Sequence, residues 1–136
     1  MVSLAYLWLR DQRGLLDEMI QHNVDAQIVK ICSMGLKPVH LGKTIGSLSE
    51  HFDTLTSQFD FNVCGEGGEY ETAVFDCPLF KTHRIVSTKQ EVVMHEDNPI
   101  CPVAYLKYLE LALEEKSPED QAAAEKIMKE LIDKRS

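Results

Sequence analysis

Two amphipathic helices are predicted in the first sixty residues by apolar side chains that recur every three or four positions. The first helix spans residues 11–22, and its apolar positions are Leu15, Leu16, Met19 and Ile20. The second helix has apolar residues spaced by four, three and four, at Leu48, Phe52, Leu55 and Phe59. Thr44 or Ser47 is the expected N-cap, because a hydroxyl there accepts a hydrogen bond from the first helical turn.

Short apolar runs predict the strands. Residues 3–9 are expected to form a short strand or strand end, and residues 26–32 a buried strand. Residues 33–46 are expected to form a loop, since glycine and proline punctuate them. Later strand-like runs are 61–64, 73–75, 84–86 and 91–95. The last two are expected to pair as a hairpin across residues 87–90.

The C-terminal part of the chain is predicted to be helical. A third helix, entered after Pro102, is indicated by four apolar positions: Val103, Leu106, Leu109 and Leu113. A fourth helix begins at Ser117 and Pro118, where serine is the expected cap. Its apolar stripe is narrow, so this helix is expected to be mostly solvated. The predicted core consists of Leu16, Ile20, Ile28, Val29, Phe52, Leu55, Val63, Leu106 and Leu109.

The composition suits one folded domain and excludes several classes of function. The 136 residues are 44% hydrophobic, which supports one modest core, and the formal net charge is −8. An acidic chain repels phosphate backbones, so direct binding of nucleic acid is not expected. No apolar run reaches the roughly 18 residues that span a bilayer, and the N-terminus lacks a signal-peptide pattern. Membrane association is therefore not expected.

The cysteines and histidines do not predict a metal site. The four cysteines include no C-x-x-C pair, and the five histidines are scattered along the chain. Since no secretory signal is recognised, we expect free thiols and a cytoplasmic location.

The most distinctive segment is an acidic, glycine-rich turn at residues 64–72, which reads Cys-Gly-Glu-Gly-Gly-Glu-Tyr-Glu-Thr. Its three glycines permit positive φ and a close approach of backbone to a ligand. Its carboxylates repel one another, so a purely structural turn gains nothing from them. A solvated acidic hairpin and a functional site are both open interpretations. The apolar runs on either side pin the turn, which favours a site.

Two other glycine motifs do not satisfy the patterns that they suggest. The segment Gly42-Lys43-Thr44 would end a phosphate-binding P-loop, but that pattern needs glycine where Lys37 stands. The glycines of the acidic turn would begin a dinucleotide-binding motif, but Tyr70 takes the place of its third glycine. Neither motif predicts a phosphate site by itself.

The acidic turn, followed by Asp-Cys-Pro-Leu-Phe at residues 76–80, closely resembles the signature of the diphthine–ammonia ligases, also called N-type ATP pyrophosphatases. Supporting landmarks occur in the family's order at Leu7-Trp8, at Leu41-Gly42-Lys43, and in the Pro-Val-Ala-Tyr-Leu of residues 102–106. The resemblance covers about residues 3 to 115.

The resemblance implies an α/β fold in two parts. A partial nucleotide-hydrolase-like layer, Rossmann-like and of the adenine nucleotide alpha hydrolase type, would be followed by a smaller α+β acceptor domain. On this division, residues 1–46 are a remnant of the nucleotide domain and residues 47–116 are the acceptor-side domain. Residues 117–136 form the C-terminal solvated helix.

The resemblance also implies an activity. The family uses ATP, with Mg²⁺, to activate the carboxylate of diphthine on translation elongation factor 2 as an acyl-adenylate, and ammonium then supplies the amide nitrogen of diphthamide. The family's Ser-Gly-Gly-Lys-Asp-Ser loop that grips ATP is not found in this sequence. The chain is therefore expected to be a truncated form with weak ATP binding. A non-catalytic protein-binding form of the same family and an unrelated acidic interaction domain are the alternatives.

Site residues follow from the match with the family. Three carboxylates would hold the trimethylammonium group of diphthine, bind Mg²⁺ or deprotonate ammonium, namely Glu66, Glu69 and Glu71. Residues expected to bind substrate or nucleotide are Gly65, Gly67, Gly68, Tyr70, Thr72, Trp8, Lys43 and Asp76. Among these, Trp8 and Tyr70 would either stack on the cation or on adenine or belong to the core. Lys43 would either meet phosphate or lie solvated on the surface, and Thr72 and Asp76 would brace the turn.

Overall fold

The computed structural model describes residues 5–133, which form a mixed α/β fold of three α-helices and one four-stranded sheet. In chain order the elements are α1 (Gln12–Gln21), β1 (Asp25–Cys32), a 3-10 turn (Pro38–His40), α2 (Ser49–Phe59), β2 (Tyr70–Asp76), β3 (His83–Glu96), β4 (Val103–Glu115) and α3 (Pro118–Asp133). The predictions of α1, β1, α2 and α3 are confirmed, with ends within about two residues.

The helix ends are set by local hydrogen bonds. The carboxylate of Asp11 accepts a hydrogen bond of 2.6 Å from the Gly14 amide and so caps α1. The N-cap of α2 is Leu48, which has no side-chain oxygen, so the predicted cap at Thr44 or Ser47 is wrong. Those two residues instead bond to each other, because the Thr44 hydroxyl accepts from the Ser47 amide at 3.0 Å. They shape the turn that leads into α2.

All pairings in the sheet are antiparallel, and the strand order is β2-β1-β4-β3. The ladder between β1 and β4 is short and covers only residues 30–32 of β1. Where β4 leaves β1, residues 42–45 take its place, since the Gly42 amide bonds Ile28 O at 2.8 Å and the Ile45 amide bonds Ala26 O at 2.9 Å. Gly42 has a φ of 78°, a region in which other residues are strained, so glycine suits the bend at this position.

The helix predicted after Pro102 is wrong, because residues 103–115 form the strand β4. Its even-numbered residues Ala104 and Leu106 are buried in the core, while Leu109 on the opposite face is 44% exposed. Apolar residues on both faces of the strand produce spacings of three and four by coincidence. Twelve residue pairs with β3 satisfy the backbone of β4, and this pairing outweighs the local helical spacing.

The predicted hairpin across residues 87–90 is also wrong, since His83–Glu96 is one continuous strand. The polar stretch that suggested a turn contains two irregularities of register, between Ser87 and Lys89 and between Lys89 and Gln90. Bulges of this kind bend a strand without ending it. Residues 5–9 and 61–64 contain turns at 6–9 and 63–64 and form no strand, against the prediction, and residues 1–4 lie outside the described part of the chain.

The core lies between one face of the sheet and the two helices α1 and α2. Of the predicted core residues, Leu16, Ile28, Phe52, Leu55, Val63 and Leu106 are buried. Ile20 is partly buried and packs against this cluster, Val29 is only partly buried, and Leu109 is wrong because it faces solvent. The helix α3 buries only Ala124, and the Ser117 hydroxyl caps it by accepting from the Asp120 amide at 3.1 Å.

Candidate functional site

The acidic turn joins α2 to β2 and is built from two tight turns in succession. The amide of Gly65 bonds Asn62 O at 2.9 Å, and the amide of Gly68 bonds Gly65 O at 3.1 Å. Gly65 and Gly68 have φ of 73° and 88°, a region in which side chains other than glycine are strained. The glycines therefore give this loop one defined shape.

Space around the turn also favours glycine at Gly65. A Cβ atom at Gly65 would lie 3.0 Å from the backbone oxygen of Tyr70 and 3.1 Å from its ring. A Cβ atom at Gly67 would lie 2.5 Å from the Oε1 atom of Glu69. A side chain at Gly67 would therefore displace the Glu69 carboxylate, whereas one at Gly65 would press on the backbone of Tyr70.

Tyr70 supports the turn from inside the protein. Its ring is 6% exposed and stacks near Phe52 and Phe61, with centroid distances of 5.1 and 6.0 Å. Its hydroxyl donates a 2.6 Å hydrogen bond to Val63 O, and burial raises the pKa of this phenol. The structure thus places Tyr70 in the aromatic core below the turn, with its ring packed against the other aromatic residues.

The three glutamates of the turn have different surroundings. Glu66 is exposed and has no hydrogen bond or ion pair with any residue between 5 and 133. The Oε1 atom of Glu69 accepts a 3.1 Å hydrogen bond from the Asn62 amide. The carboxylate of Glu71 forms an ion pair of 2.6 Å with the ammonium group of Lys30 on the neighbouring strand. Glu66 is therefore the carboxylate of the turn that is open to solvent and unpaired in the described part of the chain.

The start of α1 lies against the turn. The thiol of Cys64 donates to Gln12 O at 3.3 Å. Burial raises the pKa of the Cys64 thiol, and the negative charges of Glu66 and Asp11 add to this effect. Glu66 and Asp11 thus contribute negative charge near the same thiol, and this end of the sheet is acidic.

The other predicted site residues occupy different places. Trp8 is 76% exposed and lies in the turn that precedes α1. Lys43 lies on the side of β1 opposite to β2, since its backbone carbonyl accepts a hydrogen bond of 2.9 Å from the Ile28 amide. Thr72 is exposed on β2. Asp76 ends β2, about 20 Å along the strand from the turn, and pairs with Lys116.

The sequence interpretation missed Asn62, which stands at the base of the turn. Its backbone oxygen accepts from Gly65, its side-chain oxygen accepts from the Cys64 amide at 2.9 Å, and its own amide bonds Glu69. An asparagine at the first position of a tight turn is a known signal, because its side chain often bonds the backbone amide two positions on.

Within residues 5–133 the structure contains no group of three or more His, Cys, Asp or Glu side chains that could hold a metal ion. In the same part of the chain, no helix is both long enough and apolar enough to cross a membrane.

The fold and the site define a mixed α/β domain that presents a glycine-shaped acidic turn at one end of an antiparallel sheet. The family model described as the diphthamide synthase C-terminal domain matches residues 11–109, a stretch that contains this turn. The chain therefore belongs to the diphthine–ammonia ligase family, and the matching part is the family's C-terminal domain.

Comparison with curated relatives agrees with this assignment. A diphthine–ammonia ligase of Homo sapiens is 50% identical over 114 residues, which make up 83% of this chain and 42% of the relative. The Mus musculus protein of the same name is 48% identical over 128 residues, or 91% of this chain and 48% of the relative. The Schizosaccharomyces pombe protein is 45% identical over 105 residues, or 77% and 17%. This chain spans less than half the length of each of these relatives.

Proposed function

We propose that this chain is the acceptor-side part of a diphthine–ammonia ligase, which converts diphthine on translation elongation factor 2 to diphthamide in the cytoplasm. The observation that supports this most strongly is the acidic turn, which the glycines hold in one shape within the region that the family model matches. In the proposed reaction, the diphthine carboxylate is activated as an acyl-adenylate. Ammonia then attacks the acyl carbon, a C–N bond forms, and AMP leaves.

The charge of the turn suits two ligands of this reaction. Diphthine carries a trimethylammonium group, and ammonium is the source of the nitrogen. A fixed carboxylate attracts either cation, and it can accept the proton that ammonium must lose before it attacks. Glu66 is positioned for this role because it is exposed and unpaired within the described residues.

The described residues do not by themselves fit a magnesium nucleotide. The turn supplies only negative charge, which repels phosphate, and Lys43 lies on the far side of β1. The same residues provide no cluster of ligands for a metal ion. We therefore assign no step with ATP or Mg²⁺ to these residues, and the adenylate would be delivered to the turn from another part of the ligase.

A second proposal is that the chain binds a protein without catalysing the reaction. The observation in its favour is a group of exposed leucines on β4. Leu109, Leu111 and Leu113 are 44%, 53% and 71% exposed. Exposed apolar residues that lie close together commonly mark an interaction surface.

The two proposals are separated by an activity measurement in a full-length enzyme. Residues 11–109 of this chain replace the matching domain of the human relative, and diphthamide formation on elongation factor 2 is measured by mass spectrometry. We expect the chimera to be active. Glu66→Gln should then lower the rate at least about tenfold, since general-base assistance alone is typically worth 10²–10⁴-fold.

The control for this experiment is Glu125→Gln, introduced in a second chimera that extends to residue 133. Glu125 is an exposed glutamate of α3, away from the turn. A folded chimera that forms no diphthamide, or a Glu66→Gln variant that works at the unmodified rate, would contradict the catalytic proposal and leave the binding role.

A further inference from the structure

Two residues, Asn62 and Glu69, hold the acidic turn closed through hydrogen bonds. The backbone amide of Asn62 donates to Glu69, its backbone oxygen accepts from Gly65, and its side-chain oxygen accepts from Cys64. These bonds join the beginning of the turn to its end. Asn62 is therefore the residue in which the hydrogen bonds of the turn converge.

Glu69 completes this closure from the other end. Its Oε1 atom accepts the Asn62 amide at 3.1 Å, and its backbone oxygen accepts the Cys32 amide at 2.9 Å. Its Oε2 atom is buried and has no hydrogen-bond partner among the described residues. A ligand in solution cannot reach a buried oxygen unless the turn opens, so the geometry of Glu69 suits holding the loop and not contacting the ligand.

Glu71 is also occupied. Its contact of 2.6 Å with Lys30 lies across the pairing of β2 with β1, in which Lys30 and Glu71 are direct partners. Lys30 is in turn the direct partner of Tyr105 on β4. Glu71 thus belongs to a row of side chains across the sheet, and its charge is partly balanced.

We propose that Asn62 and Glu69 are positioning residues that hold the turn, and that Glu66 alone contacts its cationic ligand. This inference rests on the proposed function of the turn as a site for a cation. It assigns separate roles to Glu66, Glu69 and Glu71, among which the family resemblance does not divide the work.

The inference can be tested on this chain by solution NMR with two independent readouts. The first is hydrogen exchange of the amides at positions 62, 64 and 65, which reports whether the turn is closed. The second is the dissociation constant of tetramethylammonium chloride, from chemical-shift changes at Gly65–Gly68, with sodium chloride as the ionic-strength control. Tetramethylammonium is used because it reproduces the charged end of diphthine.

Four variants separate charge from shape. Glu66→Gln should weaken the binding of tetramethylammonium at least about fivefold and leave the hydrogen exchange of the three amides unchanged. Glu69→Ala and Asn62→Ala remove an acceptor, so exchange should speed up about fivefold, the equivalent of one ordinary hydrogen bond, and the probe should weaken as well. Glu69→Gln keeps an oxygen that can accept from the amide at position 62. It should therefore preserve both the slow exchange and the affinity.

Each result either supports or overturns a particular statement. If Glu69→Gln weakens the probe as much as Glu66→Gln does, Glu69 contacts the ligand and the inference is wrong. If Glu69→Ala and Asn62→Ala leave exchange unchanged, neither residue holds the turn, and the inference is again wrong. If tetramethylammonium does not bind the unmodified chain, the cation-binding function of the turn fails, while exchange still decides whether Asn62 and Glu69 hold its shape.

Discussion

Glu66, Glu69 and Glu71 are chemically identical side chains within six residues, yet each has a different environment. Glu66 projects into solvent, Glu69 folds back onto the Asn62 amide, and Glu71 pairs with Lys30. A carboxylate that already accepts a hydrogen bond or an ion pair is less available to a ligand than one that is hydrated and unpaired. At the scale of single residues, the role of each glutamate in the turn is therefore set by its hydrogen-bond or ion-pair partner and not by its residue type.

His40 shows how surroundings alter a titrating group. Its Nδ1 atom accepts a 3.0 Å hydrogen bond from the Lys37 amide, and its ring lies 4.6 Å from that of His51. Burial is the largest influence on the pKa of His40, followed by the charges of His51, Lys43 and Lys37, and together they lower the pKa to about 4. The imidazole is therefore neutral in the folded protein at pH 7.

The lowered pKa of His40 predicts a pH-dependent loss of stability. The unfolded chain binds a proton at His40 near pH 6.5, whereas the folded protein does so near pH 4. Above pH 6.5 both states are neutral and the group has no effect. Between pH 6.5 and pH 4 only the unfolded state gains the proton, so the free energy of unfolding falls. Urea denaturation at pH 7, 5.5 and 4.5 should show a smaller decline for His40→Gln than for the unmodified protein, and equal declines would contradict this.

The paired strands β3 and β4 differ on their two faces. The inward face of β4 carries Ala104 and Leu106, which join the core, whereas the outward face carries Tyr105 and Leu109 at 39% and 44% exposure. A strand that is apolar on both sides usually has both sides covered. This is the property of the element that supports the protein-binding proposal.

A buried ion pair ties the end of the sheet to α3. Lys116 follows β4, its side chain is 3% exposed, and its ammonium group contacts the carboxylate of Asp76 at the end of β2. Its backbone oxygen accepts a 2.9 Å bond from Gln121 of α3. Lys116, Asp76 and Asp25 line a cavity of about 420 Å³. The pKa of the Asp25 carboxyl is raised, mainly by burial.

Replacing Lys116 should test how much this contact contributes. Lys116→Met leaves the Asp76 carboxylate without its partner in a poorly hydrated place, so we expect the free energy of unfolding to fall by about 2–4 kcal/mol. The matched control is Lys30→Met, which breaks an ion pair of 41% and 62% exposed side chains and should have little effect. Both values come from urea denaturation at pH 7. A loss at position 116 no larger than the control would show that the pair is not important for stability.

At the scale of the whole molecule, one cluster of buried side chains connects distant parts of the chain. It includes Leu16 of α1, Ile28 of β1, Phe52 of α2, Tyr70 of β2 and Leu106 of β4. These residues lie on both sides of position 46, where the sequence suggests a boundary between two domains. That boundary stays a prediction that unfolding can test.

The shared core predicts a single cooperative unfolding transition. Amide signals of Leu16, Phe52 and Leu106, followed by NMR during heating, should lose intensity with the same midpoint, and far-UV circular dichroism should coincide with them. The reason is that removing either helix exposes the same face of the sheet. An earlier midpoint for Leu16 than for Phe52 and Leu106 would show that residues 1–46 unfold as a separate unit.

The sequence by itself determined the parts of this protein that depend on local interactions. The helical spacing of apolar residues predicted α1, and the capping serine predicted the start of α3. The apolar run predicted β1, and the composition of residues 64–72 identified the glycine-shaped acidic turn. These features arise from residues within a few positions of one another. The resemblance in the turn also led to the family that the comparisons show.

Tertiary structure decided what depends on partners far along the chain. Residues 103–115 have apolar spacing that fits a helix, but pairing with β3, and over residues 30–32 with β1, makes them a strand. The role of Glu71 depends on Lys30, 41 residues away, and that of Asp76 on Lys116. No local pattern encodes such pairings, because their free energy is gained only when the sheet assembles and brings these residues together.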